Sequence, residues 1–494
     1  MKIQSAFIIF FVFSFSFASA GEKGNPVGNP SVLKGKVNEV VDIASRRELF
    51  VDHFLIDQMK GAQLVMNRPH DAGVVLKFDQ AWEGPFCGYC TVIKTESGYR
   101  VYYRGKFGAG TDGDTGEVTC VADSKDGITW LRPKLNLYEV GGHRDNNIVL
   151  AGKAPYSHNF SPWLDTRPGV PKDQRYKALA GIHSSGVALF VSPDGLSWKI
   201  LKEKILTSKE FAFDSQACAF WSESEKQYVC YFRTWKNKVR WVSRSTSKDA
   251  LTWTDPVEMT FGDAPAEHLY TNQTQPYFRA PHLYLSTAAR FMPGRQVVTD
   301  EQAREINVNP KYFKDTSDAV LITSRGGSVY DRTFLTSFIR PGIGAKNWVS
   351  RTNYPALNVV QTGSAEMSVY VNQDYAQPTA HLRRYSMRLD GLASVRAEYS
   401  GGELLTRPFT FTGKMLSINF ATSAAGSVRV EIQTAEGKPV PGFSAMECRE
   451  QIGNEIDRTV TWNAGSDVSA LAGKPVRLRF VMKDSDIFAL KFSK

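Results

Sequence analysis

The sequence predicts an all-β protein, a five-bladed β-propeller followed by a C-terminal β-sandwich. Three observations carry that expectation. The turn S-x-D-(G/A)-x-(S/T)-W occurs three times, at 124–130, 192–198 and 247–253, each directly after a strand-like run (EVTCVAD, GVALFVS, VRWVSRS). The units that carry this turn, or a degenerate form of it at 323–331 and 388–394, follow one another at unequal spacing. That is how an internal repeat with variable loops reads. Beyond about Tyr399 the turn disappears, and short alternating strands separated by turns such as AEGKPVPG and NAGSD continue to the end.

Taken in order, residues 1–20 read as a secretory signal peptide: Lys2, an apolar run over 6–17, then Ala18-Ser19-Ala20. Cleavage after Ala20 and a secreted or periplasmic protein are expected. The apolar run is short for a membrane span and no later segment is more apolar, so no membrane partner is expected. Residues 21–45, rich in Gly, Asn and Pro, read as a flexible leader. The propeller is assigned to 46–398. Its opening strand, RRELFVDHFLID (46–57), is expected to close the ring with the last blade. Second strands are placed at 98–105, 175–183, 226–235, 281–291 and 379–387, a spacing that suits four-stranded blades. In the turn, the Asp can accept backbone amides, the Gly takes a positive φ and the Trp packs beneath. These are structural turns on the rim. Residues 399–494 form the sandwich, expected to pack against the propeller.

At 494 residues the chain exceeds what one core usually supports, in keeping with two domains. Its net charge of +10 is scattered rather than clustered, and no nucleic-acid motif accompanies it. A mild preference for anionic partners, such as a sulfated or uronate-bearing glycan, follows. Six cysteines are too few for a disulfide scaffold. Cys87 and Cys90 have C-x-x-C spacing, but without a second pair or a nearby His they read as core residues and no metal ligands are assigned.

In a propeller the innermost strands line the axis, and their entrances form the funnel where ligands bind. The entrances carry Trp82-Glu83, Ser157-His158-Asn159, Asp214-Ser215-Gln216, Glu267 to Gln273, and Thr362 to Glu366. Recurrence of acids at one structural position points to glycosidic bond cleavage, where one acid donates a proton and another stays ionised. Asp214 is the central carboxylate, Glu83 and Glu366 the leading acid/base pair, and Glu267 the reserve. Trp82, Trp163 and Tyr270 are candidates for stacking on a sugar. His158, Asn159, Gln216, Asn272, Arg279 and His282 are candidates for binding its hydroxyls. No cofactor is required. Oxygen ligands in the funnel would suit a calcium ion, although no loop has calcium-site spacing.

The five-unit pattern, the S-x-D-G-x-T-W turns, the funnel acids and the C-terminal sandwich resemble the five-bladed propeller glycoside hydrolases of families 32 and 43. The segments FDSQACAFW, RPGIGAKNWVSRTNYPALNVVQTGSAEMSVYV and SDVSALAGKPVRLRFVMKD are similar to secreted bacterial proteins of the family 32-like type. The resemblance implies the fold and a glycosidase acting on a plant or algal poly- or oligosaccharide. It matches Asp214 to the family's middle Asp and the Trp-Glu-Gly-Pro around Glu83 to its acid motif. The Asn-Asp-Pro and Arg-Asp-Pro motifs of family 32 are absent. Two other readings remain open here. One is a non-catalytic glycan-binding propeller. The other is a sialidase-like hydrolase with Arg279, Arg332 and Arg340 as an arginine triad.

Overall fold

The computed structural model describes residues 39–183, 185–209 and 211–493. The expected signal peptide, and the expected leader up to residue 38, lie outside the described residues. The described residues are almost wholly β, with one short α-helix among them, Asp300–Glu305, opened by a Thr299–Gln302 capping box. No helix among the described residues is long and apolar enough to cross a membrane.

Five antiparallel sheets make the propeller blades. Blade one runs from its inner strand Gly88–Lys94 through Tyr99–Gly105 and Val118–Ser124 to Ile148–Leu150. Blade two has Ser161–Leu164, Tyr176–Ile182, Gly186–Ser192 and Lys199–Leu206. Blade three has Cys218–Ser222, Gln227–Lys236, Val239–Ser247 and Val257–Glu258. In blade four the inner strand is split into Leu269–Thr271 and Thr274–Tyr277, followed by Ala280–Met292 and Thr316–Ser324. The expected second strands of blades one to four are found.

Blade five differs from the expectation. Its inner strand is the pair Tyr354–Pro355 and Val360–Gln361, which makes Glu366–Gln373 the second strand and His381–Arg388 the third. The fourth is His70–Lys77, paired through Leu382↔Leu76 and His381↔Lys77. The ring is therefore closed by residues 70–77, whereas 46–57 was expected. Residues 41–66 instead enter the C-terminal sheet: Val41–Ala44 beside Phe409–Phe411, Arg47–Leu49 on Val476–Ser493, and Ala62–Met66 on Ala393–Ala397. The leader expected to run to 45 thus already contains a strand.

Two long strands, Met415–Thr434 and Val476–Ser493, form the spine of that C-terminal sheet. Their pairing breaks between Thr422 and Ser427, where a side chain on Gly426 would meet the Asp484 backbone. The two halves enclose one core that includes Ile43, Phe50, Leu404, Phe420, Trp462 and Phe480. This assembly docks on the ends of blades four and five. Asp390, wholly buried, receives Arg47, Asn419 and Tyr277 at 3.2, 3.0 and 2.8 Å. Arg325 reaches Glu48 at 2.7 Å and Asp52 at 2.9 Å. All six cysteines are buried and unpaired, Cys87 and Cys90 in the core of blade one.

The three turns are superimposable in their bonding. Ser124, Ser192 and Ser247 each accept the amide three residues on at 2.9 Å. Asp126, Asp194 and Asp249 each accept the amides two and three residues on, at 2.7–2.8 Å. The preceding blade adds a lock. Tyr370 donates to the Gly127 carbonyl at 2.6 Å, and Tyr102 to the Gly195 carbonyl at 2.8 Å. A Cβ on either glycine would collide with that tyrosine oxygen. In the third turn the corresponding strand residue is Leu179, and Ala250 is accommodated at φ 64°. Gly195→Ala should therefore cost about 2 kcal/mol, read from the urea midpoint, through backbone strain plus displacement of Tyr102. Gly327→Ala, at φ 61° with open space around it, should cost about half as much. Equal losses would remove the tyrosine lock from the explanation.

Candidate active site

Inner-strand starts and second-strand ends lie at the same end of each blade, because the strands alternate in direction. At this end, charged and aromatic side chains from all five blades converge. Asp214 stands on the loop into blade three, beneath the Phe213 amide bonded to the Arg233 carbonyl at 3.1 Å. Its Oδ2 is held by the Arg233 guanidinium, and its Oδ1 lies 3.7 Å from His158 Nε2. His158, at the entrance of blade two and fully buried, places Nδ1 2.8 Å from Glu117. Glu117 opens the third strand of blade one. It also meets Lys106 at 3.1 Å and Arg104 at 3.6 Å.

These contacts set the protonation states. Burial alone would raise the Asp214 carboxyl, but His158 and Arg233 outweigh it and hold the group below the usual carboxylate range. Burial likewise opposes ionisation of Glu117, and His158, Arg104 and Lys106 bring it down to about 2. Burial would lower His158, but the carboxylates of Asp214 and Glu117 raise it. Asp112, on the loop after the second strand of blade one, completes the group. One ligand atom each from Asp112, His158 and Asp214 lies within 4.8 Å of the others. Those three could hold a divalent cation, with Glu117 orienting the imidazole behind it.

Aromatic rings line the rest. Two residues of blade one, Tyr89 and Cys90, are bulged between the pairs Gly88↔Arg104 and Thr91↔Tyr102. The bulge turns Tyr89 toward His158, with ring centroids 6.4 Å apart, and Arg104 covers its face at 4.7 Å. Tyr270 packs on Tyr354 at 5.1 Å and Phe291 at 5.3 Å. Beneath the group, Gln216 donates to Thr91 at 2.9 Å, while Gln273 donates to Gln216 at 2.7 Å and to the Pro355 carbonyl at 2.9 Å. This belt crosses the axis. Beyond it an apolar cavity of about 530 Å³ opens at the opposite end, lined by Trp163, Trp221 and Phe278.

Of the expected site residues, Asp214, His158, Asn159 and Tyr270 come together, and Gln216 lies in the belt. Asn159 donates to the Phe213 carbonyl at 3.1 Å, while its Oδ1 has no bonded partner. The remaining acids do not join them. Glu83 is wholly buried, its carboxylate taken up by Tyr103 at 2.6 Å, Arg132 at 2.8 and 3.0 Å, and the Gln80 amide at 3.0 Å. No face is left open to a substrate. Glu366 pairs with Arg388, at the third strand's far end, and binds Arg384 and Thr362, so it sits at the end of blade five away from Asp214. Glu267 is bound by Arg332 and by Arg290 at 2.8 Å, beside Trp241 and Phe261 between blades three and four. Trp82 donates to Asn147 at 2.7 Å. Asn272 caps the split inner strand of blade four, accepting Thr274 N at 3.0 Å. Arg279 meets Asp390 at 3.0 Å and His282 meets Glu48 at 3.0 Å, both where the C-terminal sheet docks. The arginine triad Arg279, Arg332 and Arg340 is not assembled: the first two serve these separate ion pairs.

Sequence reading passed over Glu117, Asp112, Arg233 and Tyr89. A usable signal existed for Glu117, an acid opening the apolar run VTCVA, the same feature that singled out Asp214.

No protein-family model and no curated protein matches the sequence. Among solved structures, the chain is similar to a glycoside hydrolase at 13% identity and TM-score 0.41, over 65% of this chain and 92% of that one. It is also similar to an N-acetylgalactosamine deacetylase from F. plautii, at 12% identity and TM-score 0.42, over 67% and 97%. An endo-arabinase from Bacteroides thetaiotaomicron gives 10% identity and TM-score 0.37, over 65% and 97%. At such scores these likenesses carry no chemistry, which rests on the side chains above.

The Glu117–His158–Asp214 chain makes stability depend on pH in both directions. Glu117 contributes above its ordinary value of 4.5 and loses that contribution as pH falls toward about 2. His158 contributes below its ordinary 6.5 and loses it as pH rises through its raised value. The urea midpoint should thus peak between these limits. His158→Gln should flatten the alkaline limb; an alkaline limb unchanged in that variant would take His158 out of the linkage.

Proposed function

We propose that the protein is an exported glycoside hydrolase whose reaction takes place at Asp112 and Asp214. The observation that carries this reading is the pair itself: an ionised, doubly supported carboxylate with a second half-buried carboxylate within 4.8 Å, at the end of the ring where the blade entrances meet. Glycosidases that retain configuration space their two carboxyl groups about 5 Å apart, whereas inverting ones leave room for a water. Asp214, fixed by Arg233 and His158, is the nucleophile. It attacks the anomeric carbon while Asp112 gives its proton to the leaving oxygen. Asp112 then takes a proton from the water that releases the sugar, restoring both groups.

The test is release of reducing sugar from a broad panel of neutral, uronate-bearing and sulfated glycans. Asp214→Asn should lower turnover by roughly three orders of magnitude or more with little change in sugar binding. Glu366→Gln should stay within a few-fold of wild type, and Glu83→Gln should lower thermal stability. Nuclear magnetic resonance of the first-formed product should show retained anomeric configuration. Binding without release by any variant would leave a glycan-binding propeller in place of an enzyme.

A second reading has its own observation. His158 Nε2 is buried with no hydrogen-bond partner and faces Asp112 and Asp214, as a metal-ligating imidazole does. A chelator separates the two. The carboxylate mechanism predicts unchanged turnover after chelation, while loss restored by one divalent cation would establish metal-assisted hydrolysis.

A further inference from the structure

Three arginines crowd one ring beside Asp214. The guanidinium carbons of Arg233, Arg240 and Arg351 lie 4.5, 5.0 and 5.6 Å from the Tyr270 ring centroid. The register of blade three explains two of them. Arg233 and Trp235 are two residues apart on the second strand and so share a face, and Arg240 pairs directly opposite Trp235. All three side chains therefore project from the same side of the hairpin, toward blade four. The third comes from the loop before blade five, where Arg351 is held at φ 59°. A non-glycine residue rarely takes that conformation unless the surroundings impose it.

The charges around this ring do not balance. Asp214 pairs with Arg233, and among the described residues no carboxylate forms an ion pair with Arg240 or Arg351. Arg240 hydrogen-bonds only to the neutral acceptor His268 Nδ1, at 3.2 Å through its backbone and 3.5 Å through Nη1, its guanidinium lies over the Trp235 and Phe291 rings at 4.8 Å, and its Nε is buried without a partner. Arg351 reaches the Tyr312 hydroxyl at 3.3 Å. Arg233 keeps a buried, unpartnered Nη1. Burial first, and then the neighbouring Arg233 and Arg351, pull Arg240 below its ordinary range, whereas burial of Arg351 is outweighed by Tyr270 and the tyrosines around it, which push Arg351 up. The fully buried Arg47, Arg104 and Arg332 have Asp390, Glu117 and Glu267; the half-buried Arg388 has no ion pair but places its guanidinium on four amide and carbonyl oxygens, a set of acceptors that Arg240 and Arg351 lack.

We infer that Arg240 and Arg351, half-buried around the buried Tyr270 ring beside Asp214, bind an anionic substituent of the glycan, a carboxylate or a sulfate ester. Guanidinium groups present planar forks that match such oxyanions with paired hydrogen bonds. The inference rests on the glycan reading above and narrows it to acidic sugars. A neutral sugar here would leave both charges unanswered, whereas a uronate or sulfated residue would supply the missing partner while Asp214 faces the adjoining bond.

Calorimetric titration of the wild-type protein with oligogalacturonate, its neutral methyl ester and a sulfated oligosaccharide of similar length tests this directly. At least one anionic ligand should bind tenfold or more tighter than the neutral ester, and the preference should shrink with added salt. Which of the two binds identifies carboxylate or sulfate as the group. Arg240→Gln and Arg351→Gln should each remove most of that preference while leaving binding of the neutral ester within about twofold and the melting temperature near wild type. Equal binding of ester and acid, no binding of any anionic probe, or an anion preference untouched in both variants would overturn the inference. Its fate is separable from that of the enzyme reading. Cleavage of neutral glycans without anion preference removes the arginine subsite alone, and tight anion binding without cleavage removes the hydrolase alone.

Discussion

Closure of the ring by the pairing of His381 and Leu382 with Lys77 and Leu76 is the constraint on which the funnel depends. The candidate site draws on four blades: Glu117 and Tyr89 from the first, His158 from the second, Asp214 and Arg240 from the third, Tyr270 from the fourth. Arg351 comes from the loop entering the fifth. An open arc would leave these side chains on separate sheets. Closure brings them within a few ångströms and lets the Thr91–Gln216–Gln273 belt bond across the axis. The tyrosine donors from one blade to the turn of the next, Tyr370 to Gly127 and Tyr102 to Gly195, extend the same logic to the rim.

Much of the fold was legible because its repeating unit is local. The S-x-D-G-x-T-W turn closes its own hydrogen bonds within seven residues, so its presence in the sequence implied its geometry. Blade five and the closing strand were not legible for the opposite reason. HDAGVVLK carries only a weak alternation, and nothing in its neighbours indicates that its partner lies some three hundred residues away. The site divided in the same manner. Asp214 was found because a carboxylate next to the apolar QACAFW strand demands a partner nearby, and Arg233 sits on the same hairpin. Glu83 has a comparable local setting, but Arg132 and Tyr103 absorb it, and that capture is visible only after folding. Glu366 was misplaced by one strand, which moved it to the wrong end of its blade.

The two charge arrangements at this end of the ring differ in kind. Around His158 the charges alternate, with Glu117, the imidazole, Asp214 and Arg233 each facing an opposite sign. Such a chain orders its members and gains little by taking up a ligand. Around Tyr270 the charges repeat in sign, and their order comes from aromatic faces and from the strained loop at Arg351. One arrangement supplies a rigid carboxylate. The other supplies an unfilled demand for negative charge beside it.

The C-terminal sheet has a bearing on how the molecule is made. Leu49 pairs with Ala489, and Arg47 with Lys491, so nearly the first described strand lies on the last. Pairing at such separation makes folding slow, because the entropy of closing the loop is lost before the contact returns anything. During synthesis Val41–Ala44 and Ala62–Met66 can meet Phe409–Phe411 and Ala393–Ala397 before Arg47–Leu49 meets residues 489–491, so Phe50 and Leu55 enter a core that the last strand completes. Loss of residues 489–491 would therefore unseat Arg47–Leu49 at the other end of the described chain.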